Sequence, residues 1–173
     1  MNSNNLKLTK FIFVNILIIS LLSSCSFYSF KGINIDESIS TFYIKPYDNT
    51  ALIVVPTLSQ TFAERLKERI RRDTRLKFSD KNPNIEFVGT IVGYDISSEA
   101  PLSDGSSAFN RLTIRIKMEY INNLNEKENW SEEFSFFENF ASNTNLNSVQ
   151  NDIIKRISIK INEDIFNRAF GNW

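Results

Sequence analysis

The apolar positions of this chain fall into six segments whose spacing predicts secondary structure. Four segments either alternate between apolar and polar residues or are rich in β-branched and aromatic residues, which is typical of strands. The predicted strands are 39–47, 84–98, 111–120 and 130–137. Two further segments repeat apolar residues every four positions, which predicts helices with one buried face. These helices run from Leu58 to about Thr74 and from Asn147 nearly to Trp173.

Polar residues and glycines add detail to these segments. Thr57 and Gln60 have the spacing of a capping box, in which each side chain accepts a bond from a backbone N–H of the other. Asn147 predicts a similar cap at the second helix. Gly89 and Gly93 lie inside the second strand and indicate a bulge or a close approach by another chain. The segment that follows, 99–109, predicts a loop.

The order of the elements, β-α-β-β-β-α, predicts an α+β fold. Three consecutive strands joined by short connections should pair as antiparallel neighbours. Two helices with one apolar face each need an apolar sheet face to cover. The prediction is therefore a two-layer sandwich, in which a four-stranded mixed sheet carries both helices on one face.

The second face of the predicted sheet is left to solvent or to a partner. Arg111, Arg115 and Lys117 alternate with apolar residues along the third strand and therefore share this face. The residues expected beside them from the first strand are Tyr43, Lys45 and Tyr47. The three cations would form a basic stripe next to a Gly/Ser loop. An ordinary polar sheet face is the alternative that the spacing leaves open.

The N-terminal segment has the pattern of a secretory signal peptide. Lys7 and Lys10 precede an apolar run at 11–22, which is shorter than the ~20 residues of a membrane-spanning helix. The run ends in Leu-Ser-Ser-Cys, which resembles a bacterial lipobox, and Cys25 is the only cysteine of the chain. Acyl chains such as palmitate on Cys25 would anchor the protein to a membrane. The predicted organisation is a signal peptide at 1–24, a lipidated Cys25 with a tether to residue 38, and one domain at 39–173.

Composition excludes most classes of enzyme. The chain of 173 residues has no histidine, so it contains no Ser-His-Asp triad and no His-ligated metal. One cysteine excludes an internal disulfide and a cysteine zinc site. The acidic residues show no paired arrangement for proton transfer. Equal numbers of basic and acidic residues, 20 of each, give no reason to expect nucleic-acid binding. We therefore predict a non-enzymatic protein without catalytic residues, metal or cofactor.

The first predicted helix is unusually basic. Arg65, Arg69 and Arg72 recur at helical spacing along one of its sides. Arginine binds phosphate through two parallel hydrogen bonds, so this side is suited to an anionic lipid or a phosphate. A solvated helix face explains the pattern equally well, and both interpretations stay open.

Four stretches of the chain, 57–76, 85–101, 110–122 and the tail 163–173, match a known family when they are taken in this order together with the lipobox. They resemble a divergent branch of the LptE family of outer-membrane lipoproteins, which assist lipopolysaccharide assembly. The resemblance implies a four-stranded sheet with two helices on one side. It also implies a protein that sits as a plug inside the β-barrel LptD, helps that barrel fold and binds lipopolysaccharide. Basic residues near the central strands make the lipid contact in the family, and Arg111, Arg115 and Lys117 occupy comparable positions.

The predicted function is that of an outer-membrane lipoprotein on the periplasmic side, acting with an LptD-like barrel in lipopolysaccharide transport. An alternative from another class is a periplasmic lipoprotein that regulates a cell-wall synthase or serves as an accessory subunit of a lipid-transport pump. Fold alone does not separate these two possibilities.

Overall fold

The helices and strands lie close to their predicted positions, and one strand is additional. The computed structural model describes residue 33, residues 35–99 and residues 109–171. Cys25, the predicted signal peptide and most of the predicted 99–109 loop lie outside the described residues. The elements are β1 Thr41–Asn49, α1 Leu58–Asp73, β2 Lys77–Phe78, β3 Ile85–Ser98, β4 Phe109–Asn122, a 3-10 turn Glu126–Glu128, β5 Trp130–Ala141 and α2 Leu146–Phe170.

The strands form one mixed sheet in the order β2-β1-β3-β4-β5. β1 is parallel to β2 and β3, whereas β3, β4 and β5 are antiparallel neighbours. The α+β class, the mixed sheet and the antiparallel trio are confirmed. The prediction of four strands was wrong, because the two residues of β2 pair with Thr41 and Phe42. Two residues are too few to show an alternating pattern in the sequence.

A single apolar core joins the helices to the sheet. Along β4, every second residue from Leu112 to Tyr120 is buried. The apolar stripes of the two helices are buried in the same cluster: Leu58, Phe62, Leu66 and Ile70 from α1, and Ile153, Ile157, Ile161 and Ile165 from α2. Helix α1 packs on β1, α2 packs on β4 and β5, and the helices also contact each other. Burial of each side chain of this size contributes roughly 1.5–3 kcal/mol to the free energy of folding.

The helix caps differ from those predicted. Thr57 makes no side-chain cap at α1, and its backbone oxygen instead accepts bonds from N and Oγ1 of Thr61 at 2.9 and 2.8 Å. At α2 the cap is Asn145, whose Oδ1 accepts from the backbone N–H of Asn147 at 2.9 Å. Both predictions were wrong for the same reason. The capping residue depends on the direction in which the preceding loop enters the helix, and the spacing of two residues in the sequence does not specify that direction.

Tyr47 lies on the opposite face of the sheet from the one predicted. The pairing of β1 with β3 shifts register between Lys45 and Asp48, which reverses the alternation for the end of the strand. Tyr47 is therefore buried, with 5% of its surface exposed, while Lys45 remains exposed. Its ring lines a cleft of about 440 Å³ between β1 and α1.

The two glycines of β3 accommodate side chains of this same chain, not the approach of another chain, and the predicted bulge is found beside Gly93. A Cβ at Gly89 would lie 2.6 Å from ring carbons of Tyr47. A Cβ at Gly93 would lie 2.5 Å from Nε of Arg115, and a register shift with β4 falls between Ile91 and Gly93. The glycines thus allow a core ring and a surface guanidinium to lie directly on the β3 backbone.

Side chains from distant parts of the chain hold the entry to the domain. The guanidinium of Arg75 donates to the backbone oxygens of Ile35, Asp36 and Ile39 at 2.7–3.4 Å. Oδ1 of Asn84 accepts from the backbone N–H groups of Ser40 and Thr41 at 2.9 and 3.0 Å. We call this end of the sheet, where β1 and β3 begin, the tether end. Because β1 and β3 run away from it, the loop after β1 lies at the opposite end, called the far end.

The outer edge of β1 is open beyond its first residues. β2 covers only Thr41 and Phe42, and no described strand pairs with the rest of that edge. Pro46, which has no backbone N–H, and the exposed Lys45 lie in this open part. Both residue types are typical of exposed strand edges.

Candidate functional site

The three predicted cations lie together on β4, on the side opposite its buried residues. Each is already in an ion pair. Nη1 of Arg111 lies 3.2 Å from Oε1 of Glu99, and Nη2 of Arg115 lies 3.0 Å from Oδ2 of Asp95. Nζ of Lys117 lies 3.2 Å from Oε1 of Glu119. The face therefore carries mixed charge, which is closer to the ordinary polar sheet face than to the basic stripe, the two alternatives that the spacing left open.

Arg115 occupies the centre of this group. Its guanidinium lies across the backbone at Gly93, where a side chain would clash with it. Nη1 of Arg115 also lies 3.9 Å from Oε1 of Glu133 on β5. Arg115 thus bridges β3 and β5 over the strand that carries it, and two carboxylates fix the position of its charge.

Arg111 combines a charge with an apolar neighbour. Its guanidinium lies 4.1 Å from the centroid of the Phe137 ring, and its Nε donates to Oδ1 of Asn139 at 3.2 Å. Phe137 is 45% exposed. A cation packed on an exposed ring suits an amphipathic ligand, because the ring can contact apolar groups while the cation contacts an anion.

The ion pairs on this face are weak and exchangeable. Exposed pairs of this kind contribute ~0–1 kcal/mol each, because water competes with the partner. A phosphate offers arginine the same two-pronged acceptor as a carboxylate and more negative charge. Glu119, two residues after Lys117, was the one partner visible in the sequence. Glu99, Asp95 and Glu133 were missed because they come from other segments.

The far end exposes an apolar group that the sequence analysis did not identify. Leu52, Ile53 and Val54, in the loop between β1 and α1, are 102%, 48% and 61% exposed. Strand register places the exposed Ile96 and Phe109 toward the same end. We call Leu52, Ile53 and Val54 the far-end loop. The available signal was an apolar run between predicted elements that belonged to neither. Exposed apolar groups of this kind mark interaction sites.

The titratable groups with shifted pKa values are explained by packing. Burial, followed by the charge of Glu128, raises the pKa of Tyr120 to about 12. Burial also raises the pKa of Tyr47, whose hydroxyl has no hydrogen-bond partner among the described residues. The pKa of Asp36 is lowered by hydrogen bonds from Ser38. These three groups form no acid–base pair.

The described residues contain neither a candidate metal site nor a candidate membrane-spanning helix. In 33, 35–99 and 109–171, no cluster of three or more His, Cys, Asp or Glu residues is arranged to hold a metal ion. Within the same ranges, no helix combines the length and the hydropathy that a membrane span requires.

Comparison with known proteins identifies one family. A family model described as "LptE: Lipopolysaccharide-assembly" matches residues 39–169, which include all five strands and nearly all of α2. No curated protein matches the sequence significantly.

Solved structures resemble the fold at low sequence identity. The hypothetical protein CT253 from Chlamydia trachomatis is 8% identical with a TM-score of 0.53, over 76% of this chain and 98% of that one. A minor lipoprotein from Acinetobacter baumannii is 12% identical with a TM-score of 0.47, over 78% and 98% of the two chains. The likeness to CT253 supports the fold alone.

Proposed function

The chain belongs to the LptE family of lipopolysaccharide-assembly proteins, and from that premise we propose that it acts in lipopolysaccharide transport at the outer membrane. It does so as a non-catalytic lipoprotein, anchored through acyl groups on Cys25 and exposed to the periplasm. The observation that carries the proposal is the match of the family over residues 39–169. The lipobox at Cys25 supports the anchor, because that cysteine ends the apolar run of the N-terminus.

We further propose that both helices cover one face of the sheet and leave the other for ligand and partner. The packing of α1 on β1 and of α2 on β4 and β5 supports this arrangement. The alternation of buried and accessible residues along β4 supports it as well. Arg111, Arg115 and Lys117 would then lie on the uncovered face.

Lipopolysaccharide contact on this face uses exchange of anions. Phosphates of lipid A replace the carboxylates of Asp95 and Glu99 around the two arginines, and the exposed Phe137 contacts apolar parts of the lipid. Because the replaced ion pairs are weak, the exchange costs little. Binding and release of a large amphipathic lipid can then proceed without unfolding any strand.

The partner that fits this proposal is an LptD-like β-barrel. The lumen of such a barrel is polar, so a plug inside it needs a polar and charged surface. The exposed side of the sheet meets that requirement with alternating cations and carboxylates on β3, β4 and β5. The mixed charge suits a polar wall better than a purely basic stripe would.

Charge removal tests the lipid contact. We expect that the triple variant Arg111→Gln, Arg115→Gln and Lys117→Gln reduces lipopolysaccharide binding about tenfold or more, since each charged hydrogen bond contributes ~1.5–3 kcal/mol. Binding is measured by pull-down of the full chain on immobilised lipopolysaccharide. The matched control replaces three exposed lysines elsewhere: Lys81, Lys127 and Lys155, each by Gln. Equal loss in both triple variants would reject the assignment to β4, because only total charge would then matter.

The anchor and the partner need separate measurements. Mass spectrometry of the protein purified from membranes should find Cys25 acylated and residues 1–24 removed. Crosslinking in intact cells followed by pull-down should recover a large outer-membrane β-barrel. Recovery of a cell-wall synthase or of lipid-pump subunits in place of the barrel would contradict the proposal.

A further inference from the structure

A second polar site lies between the two helices, away from the cations of β4. It is a cleft of about 250 Å³ lined by Arg65, Glu68, Arg69, Arg72, Ile159 and Asn162. We call it the helix notch. The first four residues come from α1, and Ile159 and Asn162 come from α2, so the notch exists only where the helices pack together.

Three buried polar atoms in the notch form no hydrogen bond among the described residues: Nε of Arg65, Nε of Arg69 and Oδ1 of Asn162. Nε of Arg69 lies 2.9 Å from Oδ2 of Asp73, so the two atoms without a neighbouring partner are Nε of Arg65 and Oδ1 of Asn162. Asn162 is only 3% exposed, and its Nδ2 donates to the backbone oxygen of Phe62 at 3.2 Å. A buried polar atom without a partner is costly, because it has lost its hydrogen bonds to water and gained none in return. A ligand that satisfies both atoms recovers that cost.

The remaining arginines of the notch are held in place. Nε of Arg69 lies 2.9 Å from Oδ2 of Asp73, and the Arg69 guanidinium lies 4.9 Å from the centroid of the Phe166 ring. Nε of Arg72 lies 3.0 Å from Oδ1 of the same Asp73. These contacts fix two cations on the same side of α1 as Arg65.

The unpartnered atoms define the chemistry of a ligand. Nε of Arg65 is a charged donor and pairs most strongly with an anionic oxygen. Oδ1 of Asn162 is an acceptor and pairs with an N–H or O–H donor, such as a hydroxyl or an ammonium group. We propose that the helix notch binds the head group of a glycerophospholipid, in which a phosphate diester lies next to a glycerol hydroxyl or an ammonium group. The phosphate contacts Arg65 and its neighbouring arginines, and the donor contacts Asn162.

The location of the notch favours a membrane lipid as the source of that head group. Both helices run toward the tether end, where Arg75 binds the backbone at Ile35 and Asp36. Seven residues lie between Cys25 and Ile33, so the eight steps from one to the other span at most about 28 Å when extended. If Cys25 is acylated as proposed above, Ile33, where the described residues begin, lies within that distance of the membrane surface. The surfaces of α1 and α2 also carry more basic than acidic residues.

Soluble head groups test the site independently of lipopolysaccharide and of any barrel. The full chain, held in non-ionic detergent, is titrated by calorimetry with dihexanoyl-phosphatidylglycerol. Inorganic phosphate and glucosamine 1-phosphate serve as the free-phosphate and sugar-phosphate probes. We expect phosphatidylglycerol to bind about tenfold more tightly than either probe. Inorganic phosphate has no hydroxyl-bearing arm that reaches Asn162 while the anion contacts Arg65, and glucosamine 1-phosphate holds its hydroxyls and ammonium on a rigid ring instead of a flexible glycerol arm.

Two variants and one matched control assign that binding to the notch. Arg65→Gln should weaken phosphatidylglycerol binding about tenfold. Arg72→Gln, at a mostly exposed position, should weaken it in the same direction without affecting folding. Arg71→Gln removes the same charge from an exposed position outside the notch and should leave the affinity unchanged.

Three results would overturn the inference. Equal loss of affinity in Arg71→Gln and Arg65→Gln would show a diffuse charge effect. Equal affinity for inorganic phosphate would show a free-anion site, and tighter binding of glucosamine 1-phosphate would show a sugar-phosphate site. None of these results depends on whether Cys25 is acylated or whether the β4 cations bind lipopolysaccharide, which the earlier experiments test.

Discussion

At the scale of single residues, two buried tyrosines show how much a hydrogen-bond partner matters. Tyr47 and Tyr94 are 5% and 3% exposed. The hydroxyl of Tyr94 accepts from Nε2 of Gln150 at 2.8 Å, whereas the hydroxyl of Tyr47 has no partner among the described residues. The same chemical group is therefore stabilising at one position and costly at the other.

Removing each hydroxyl should change stability in opposite directions. We expect Tyr47→Phe to raise the free energy of unfolding by about 1 kcal/mol, because it removes an unpaired buried hydroxyl. Tyr94→Phe should lower it by about 1 kcal/mol, because it leaves Gln150 without its partner. Urea unfolding of the full chain in detergent measures both. A loss of stability in Tyr47→Phe would show that its hydroxyl has a partner in solution.

Alkaline titration provides the control for this pair. Burial raises the pKa of Tyr47, so the folded chain keeps the phenolic proton at a pH where the unfolded chain, with a pKa of about 10, has lost it. The folded state then binds more protons, and stability falls as pH rises above about 10. Tyr47→Phe should make that fall less steep, while neutral pH should show only the effect of the missing hydroxyl.

At the scale of elements, β3 depends on two glycines for different reasons. At Gly89 the neighbour is the ring of Tyr47, which is enclosed in the core. At Gly93 the neighbour is the end of the flexible Arg115 side chain, which is 42% exposed. Only the second neighbour can move aside.

Alanine at the two positions should therefore have unequal effects. We expect Gly89→Ala to destabilise the fold by ~1–3 kcal/mol, the usual range for overpacking in a core. Gly93→Ala should destabilise it by less and should displace Arg115 from Asp95. Thermal unfolding compares the two variants. A larger loss at Gly93 would mean that the ion pairs of Arg115 contribute more to stability than exposed pairs usually do.

Elements were predictable where a pattern repeats along the chain. The stripes from Leu58 to Ile70 and from Ile153 to Ile165 specified both helices, and the alternation around Arg115 specified β4. Contacts between distant segments left no such pattern. The short strand β2, the reversed face of Tyr47 and the hydrogen bonds of Asn84 to Ser40 and Thr41 all depend on strand pairing, which local periodicity does not encode.

The candidate site was predictable to the same extent. Alternation placed Arg111, Arg115 and Lys117 on one face, since all three are on one strand. It did not reveal that the two arginines pair with carboxylates from other segments, namely Asp95 of β3, Glu99 just after β3 and Glu133 of β5. The sequence predicted only the α1 side of the helix notch, because Arg65, Arg69 and Arg72 share one side of that helix. Asn162 lies 90 residues beyond Arg72 and joins the arginines only through the packing of the two helices.

At the scale of the whole molecule, the two ends differ in chemistry. The tether end holds the chain entry through Arg75 and gathers the basic ends of both helices, which suits the negative ends of the helix dipoles. The far end exposes the apolar far-end loop. With the proposed anchor at the tether end, the exposed apolar loop at the other end is suited to contact a partner away from the membrane.

Polar substitution of the far-end loop should separate partner binding from folding. We expect the triple variant Leu52→Ser, Ile53→Ser and Val54→Ser to unfold within about 0.5 kcal/mol of the parent, because these side chains are already exposed. It should recover less β-barrel in the crosslinked pull-down. Leu124→Ser, at an exposed apolar position in the turn at the tether end, is the control. Undiminished recovery of the barrel would exclude the far-end loop from the interface.

The open edge of β1 has a consequence for how many copies can crowd together. Lipid-anchored proteins are concentrated in two dimensions. The unpaired strand edges of neighbouring molecules therefore meet often and can pair with each other to form fibrils. Along this edge Pro46 interrupts the row of N–H donors, and Lys45 adds a charge that repels its counterpart on another copy. With the lipid anchor proposed above, Pro46 in the middle of β1 would thus let copies of the protein accumulate on a membrane while each copy stays available to its own partner.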